Sequence, residues 1–158
     1  MESRIKFETF SPEALRAMLA LGRHLHASSL GEGLLNLVWM RASQINGCAY
    51  CIDMHSKDAR ALGETEQRLY ELDAWRETPF YTPRERAALS WTESLTLVSQ
   101  THVPDEVYEE VRKEFTEAEI VDLTYAVVSI NSWNRIAISM RAVPGTYQPP
   151  QKKASAAS

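Results

Sequence analysis

Apolar residues along this chain recur at three- and four-residue intervals, the repeat of helices that each bury one face. Ser11-Pro12-Glu13 sets a capping hydroxyl, a first-turn proline and an early carboxylate in order. Leu15, Met18, Leu19, Gly22 and Leu25 follow as one stripe. A second stripe, Leu34, Val38, Ala42 and Ile45, stops at Asn46-Gly47, a pair suited to ending a helix. A third helix is expected from Cys48 to about Leu62, with Gly63 behind it, and Leu69 and Leu72 mark a short fourth. Thr82-Pro83-Arg84-Glu85 is a capping box that opens a helix expected to bury Ala88, Trp91, Leu95 and Val98. Pro104 starts a short acidic helix to about Lys113, and Thr116-Glu117-Ala118-Glu119 is a second capping box. The long helix behind it, to about Met140, is apolar round most of its early circumference (Ile120, Val121, Leu123, Ala126, Val127, Val128 and Ile130). Such a helix belongs at the centre of a fold or at a subunit interface. No stretch alternates as a strand would. The pattern predicts an all-α fold with one domain over residues 1–147. The polar chain after Pro144, and residues 148–158 in particular, is expected to be disordered.

Composition narrows the function classes. The 158 residues are 44% hydrophobic and 24% charged, an ordinary globular balance. Lys and Arg number 17 against 21 Asp and Glu, a net charge of −4. That speaks against nucleic acid or an anionic membrane as partner, since both need a basic surface. No apolar run approaches the roughly 20 residues of a membrane span, and the first residues lack a signal-peptide core. A cytoplasmic location is the expectation.

The two cysteines carry the chemistry. Cys48 and Cys51 form Cys-x-x-Cys, and His55 follows four residues later. In a reducing compartment such a pair is catalytic or metal-binding more often than permanently oxidised. With Asn46 or Gly47 at the helix end, Cys48 falls in the first turn of the next helix. There the free N–H groups and positive dipole end lower a thiol's pKa. Residues three apart on a helix have Cα atoms about 5 Å apart, inside the window for a disulfide. His55 lies on the same face and can accept a proton from Cys51. An activated thiol, a second thiol and a base suit reduction of a hydroperoxide through a sulfenic acid and then a disulfide. Two other readings stay open on spacing alone. The three residues could be core, or Cys48, Cys51 and His55 could be part of a zinc site whose fourth ligand nothing in the spacing selects.

The stretch Arg41-Ala-Ser-Gln-Ile-Asn-Gly-Cys48-Ala-Tyr-Cys51-Ile-Asp-Met-His55 resembles the core motif of the AhpD-like alkylhydroperoxidases, within the carboxymuconolactone decarboxylase superfamily. The likeness extends to Tyr81–Glu93, to Ile130-Asn-Ser-Trp-Asn-Arg135 and to Val143-Pro-Gly, covering residues 5–147. It implies a helical domain with a redox-active dithiol and no bound cofactor or metal. It further implies an external dithiol as reductant and assembly into homo-oligomers, trimers or hexamers. On this reading the substrate is a small organic hydroperoxide. Cys51 attacks and Cys48 resolves, though the reverse order fits the helix-end position of Cys48 nearly as well. The rivals are dithiol–disulfide exchange with a protein partner and a redox-sensing helical oligomer with little turnover.

One position departs from the family. Its proton relay uses a glutamate twelve residues before the first cysteine, where this chain has Asn36, and an amide cannot carry a proton onward. Water, or another acid such as Glu32 or Glu93, would have to serve. Tyr50, between the cysteines, is a candidate pocket residue or a packing residue. Asn131, Asn134 and Arg135 are candidates to face the pocket, though the expectation is that they satisfy a neighbouring helix end or pair an acid across a subunit boundary. His24, His26 and His102 read as surface histidines without a role.

Overall fold

The computed structural model describes residues 2–150, and every described element is helical. In chain order these are α1 (Phe7–Phe10), α2 (Pro12–His26), α3 (Glu32–Asn46), α4 (Ala49–Ala61) and α5 (Glu66–Tyr70). A 3₁₀ segment, Leu72–Glu77, leads to α6 (Pro83–Thr96), α7 (Val98–Thr101), α8 (Asp105–Glu114) and α9 (Glu117–Met140). The architecture is all-α, as the periodicity predicts.

Two capping boxes fix the starts of α6 and α9. The hydroxyls of Thr82 and Thr116 accept from the N–H groups of Glu85 and Glu119, whose carboxylates accept in return from the threonine N–H groups. Each such cap contributes about 1 kcal/mol. Ser11 begins α2 without a side-chain cap, so there the fixed φ of Pro12 sets the start instead. The helix expected to bury Val98 ends earlier. Its last residue is Thr96, and Val98 opens the separate turn α7 half-exposed.

Helix α3 is the hub. It packs against α4, α6 and α9, and it buries Leu35, Leu37, Val38, Trp39, Met40 and Ala42. Fully burying a leucine or valine contributes roughly 1.5–3 kcal/mol, so this helix is anchored from several sides. Helix α9 buries Ile120, Leu123, Ala126, Val127 and Ile130 against it, while Val121, Tyr125 and Val128 stay on the outer face.

Residues 144–150 have no regular structure, yet their first part is tied to α4. The N–H of Gly145 donates to Asp53 Oδ2 (3.0 Å), Lys57 Nζ donates to the carbonyl of Tyr147 (3.1 Å), and the Tyr147 hydroxyl donates to Asp58 Oδ1 (2.8 Å). Pro149 and Pro150 continue over a cleft described below. The rest of the expected disordered tail, residues 151–158, lies outside the described residues. No helix among the described residues is long and apolar enough to cross a membrane.

Candidate active site

The join between α3 and α4 places the cysteines. Gly47 takes the left-handed conformation (φ +69°), which a residue without Cβ adopts at little cost. Its N–H bonds the carbonyl of Gln44 (3.2 Å), and the N–H of Cys48 bonds that of Ser43 (3.0 Å), closing α3 in a Schellman motif. The chain reverses within these two residues, so Cys48 is both the last closing residue of α3 and the N-cap of α4. The sequence reading puts Cys48 inside the first turn. It stands one step earlier, because its own N–H is already committed to α3.

That shift gives its sulfur the capping role. Cys48 Sγ accepts from the backbone N–H of Cys51 at 3.4 Å, as a serine or aspartate oxygen does at an N-cap. The two cysteines are joined as a disulfide with Cα atoms 5.4 Å apart, matching the helical spacing. Both are shut away from bulk water, at 1% and 2% exposure for Cys48 and Cys51. They belong to a core cluster with Trp39, Val38 and Ala42. Tyr50, partly buried, packs on the same cluster.

His55 stands one turn beyond Cys51 on the buried side of α4. Its ring lies against Trp39, with centroids 5.2 Å apart, and its Nδ1 has no hydrogen-bond partner. Burial disfavours the imidazolium, and the nearby His26 adds to this, so its pKa falls to about 3. His55 is therefore a neutral base. Asn36 Oδ1 is the other buried side-chain atom without a partner among the described residues, while its Nδ2 donates to the Glu32 carbonyl (2.9 Å).

Asn36 also lines a cleft of about 360 Å³ whose wall includes His26, Glu32, Asp58, Leu62 and Tyr147. His26 Nδ1 and Glu32 Oε1 are 2.7 Å apart, and the His26 ring also meets Trp39, edge-on with centroids 5.2 Å apart. His26 is thus part of the surroundings of the site. Sequence reading missed it because a polar helix end resembles any solvated surface. Only the turn between α2 and α3, which is not periodic, brings it to Asn36.

Of the two acids considered for the missing carboxylate, Glu93 is committed elsewhere. It accepts from Arg41 Nε (2.8 Å), from Trp75 Nε1 (2.9 Å) and from Arg76. Burial pushes its pKa up, but these donors outweigh that and hold the carboxyl below its ordinary value. Asn131 and Asn134 do what was expected of them. Asn46 Nδ2 donates to both their Oδ1 atoms (3.0 and 2.9 Å), and Asn134 Nδ2 donates to Ser43 Oγ (3.0 Å). The last turn of α3, directly before Cys48, is thereby fastened to α9. Arg135 donates to Asn131 Oδ1 (3.0 Å) and completes the network. His24 pairs with Asp122 (2.9 Å), away from the cysteines. Among the described residues, no group of three or more His, Cys, Asp or Glu side chains is placed to hold a metal ion.

The family model described as carboxymuconolactone decarboxylase family matches residues 12–94, from the start of α2 to near the end of α6, with the whole cysteine site inside it. The chain belongs to that family. Within this enzyme family it is 46% identical to the uncharacterized protein YdfG of Bacillus subtilis over 89% of this chain and 95% of the relative. Among solved structures, it is similar to ATU0492 of Agrobacterium tumefaciens, a protein of unknown function for which an antioxidant-defence role of the AhpD type has been suggested. The two are 41% identical with a TM-score of 0.88, over 92% of this chain and all of that one. A peroxidase-related protein of Ralstonia eutropha with an alkylhydroperoxidase AhpD core shares the fold, with a TM-score of 0.78 at 21% identity over 89% and 75% of the two chains. The chain is an AhpD-like member of the carboxymuconolactone decarboxylase family.

Proposed function

We propose that the protein is a thiol-dependent peroxidase that reduces small organic hydroperoxides through Cys48 and Cys51. The observation that carries this reading is the placement of two bonded sulfurs at a helix N-terminus, with one N–H aimed at Cys48 Sγ and a neutral imidazole one turn on. In the reduced protein, His55 accepts the Cys51 proton and the thiolate attacks the terminal peroxide oxygen. The O–O bond breaks, the alkoxide takes a proton and leaves as the alcohol, and Cys51 becomes a sulfenic acid. Cys48 then attacks Cys51 Sγ, and water leaves as the disulfide forms. An external dithiol restores both thiols by exchange at Cys51. The N–H at Cys48 Sγ stabilises the thiolate that this exchange releases, so Cys48 is the better leaving group. No cofactor enters the cycle.

Two further features accompany the reading. The exposed row Val121, Tyr125 and Val128 on α9, with Val98 close to Val128 in space, favours a homo-oligomer, a trimer or hexamer. The reducing cytoplasm is the compartment in which an external dithiol would keep the pair cycling. A bulky protein-thiol substrate fits the site less well, because both sulfurs are buried.

The test is consumption of cumene hydroperoxide by the reduced protein with dithiothreitol as reductant. Many turnovers are expected for the native chain and none for Cys48→Ser or Cys51→Ser. Activity that survives both substitutions overturns the reading, and a single oxidation without recycling assigns the pair to sensing.

A further inference from the structure

We infer that His26 and Glu32 form a proton-exchanging pair at the mouth of the cleft that serves the dithiol through His55. The inference rests on the peroxidase reading and extends it to residues outside the Cys-x-x-Cys motif. Each half-cycle moves protons among buried atoms. Cys51 releases one when it ionises, and the departing alkoxide, or the released Cys48 thiolate during reduction, takes one up. His55 accepts such a proton but cannot store it, because burial makes its charged form unfavourable. Some group in contact with water must exchange it.

The geometry selects that group by elimination. Glu93 is held by Arg41, Arg76 and Trp75. Asp53 is held by Lys57 and the N–H of Gly145. Asp58 faces the cleft but accepts from the Tyr147 hydroxyl, with burial raising its pKa. His26 and Glu32 instead bond each other at 2.7 Å, both remain open to solvent, and both line the same cleft as Asn36. Asn36 Oδ1, buried and unpartnered, and His55 Nδ1, in the same state, are the two unsatisfied buried side-chain atoms among the described residues. They lie on the two helices, α3 and α4, that form this side of the molecule. A cleft of about 360 Å³ has room for several waters at about 30 Å³ each. Waters can link the pair to these atoms past Trp39, which contacts both imidazoles. The pair acts through His55 and does not touch the sulfurs. Among the described residues, the charged or titratable groups that face it are His55 and Asp58 from α4 and Tyr147 from the C-terminal segment.

The experiment follows two half-reactions separately in the full chain. Oxidation of the reduced protein by cumene hydroperoxide and reduction of the disulfide by dithiothreitol are timed by stopped flow from acid to neutral pH. Native protein is compared with His26→Gln, His26→Ala and Glu32→Gln. The variants are expected to slow both half-reactions on the order of 10-fold and to flatten their pH dependence. Added imidazole should restore the rate of His26→Ala in proportion to its concentration while leaving the native rate unchanged, which a merely structural role would not produce. Native rates and native pH profiles in all three variants overturn the inference, as does loss of rate without rescue. If the native protein leaves the hydroperoxide intact, the peroxidase reading fails, and the disulfide-reduction half still decides whether the pair supplies protons to the site.

Discussion

The backbone N–H of Cys51 points at the sulfur of Cys48 across 3.4 Å, so one cysteine caps the helix that carries the other. This one contact ties the stability of α4 to the reactivity of the pair. Whatever strengthens the sulfur as an acceptor also strengthens the cap, and a thiolate is a better acceptor than a thiol.

Under reducing conditions the cap can be weighed alone. Cys48→Ser keeps an acceptor at the N-cap, whereas Cys48→Ala removes it. The alanine variant is expected to be about 1 kcal/mol less stable than the serine variant, read from urea midpoints with dithiothreitol present. Equal midpoints would show that the contact contributes nothing to α4.

His55 makes stability pH-dependent. Its pKa is about 3 in the folded chain against an ordinary 6.5, so the unfolded chain binds the proton first as pH falls. The stability it contributes is fully present above about 6.5 and is lost progressively toward 3. Between about pH 7 and about pH 5, above the ordinary range of carboxylates, His55→Gln should lose less of its urea midpoint than the native chain. An identical loss would mean that His55 is not held neutral.

Glu93 is a structural anchor on this view. Removing its carboxylate leaves Arg41 with one of its two acceptors gone, and Trp75 Nε1 without its partner. Glu93→Ala should cost on the order of 2–3 kcal/mol, measured by denaturant unfolding. Glu93→Gln should leave the pH profile of hydroperoxide reduction in place, and a displaced profile would return Glu93 to the proton path.

The amide network behind the cysteines should couple packing to chemistry. Asn134→Ala leaves Ser43 Oγ and one Asn46 bond unsatisfied in a fully buried place. A loss of about 1–3 kcal/mol is expected, with slower disulfide formation because the turn before Cys48 loosens. Unchanged stability would show that Asn131 alone holds the end of α3.

Much of this is legible in the amino-acid sequence. The helices with buried faces, both capping boxes, the Asn46-Gly47 stop and the shared face of Cys48, Cys51 and His55 follow from local spacing. What escaped is non-local. The 3.6-residue repeat continues through Leu97, so Val98 reads as buried, although the chain leaves the helix there. The carboxylate of Glu93 looks free until Arg76 and Trp75, from a 3₁₀ segment with no periodic signature, close round it. His26 gains its setting only from the turn between α2 and α3. The attachment of Tyr147 to Asp58 is likewise invisible in a polar tail.

The most direct measurement is the fate of the two thiols after a single dose of oxidant. Fully reduced protein is mixed with one equivalent of cumene hydroperoxide, the remaining thiols are blocked with a maleimide, and the intact mass is read. The dithiol cycle predicts one equivalent of alcohol and a chain two hydrogens lighter, with no maleimide attached and a Cys48–Cys51 crosslink in the peptide map. A chain carrying two maleimides beside unreacted hydroperoxide would contradict it.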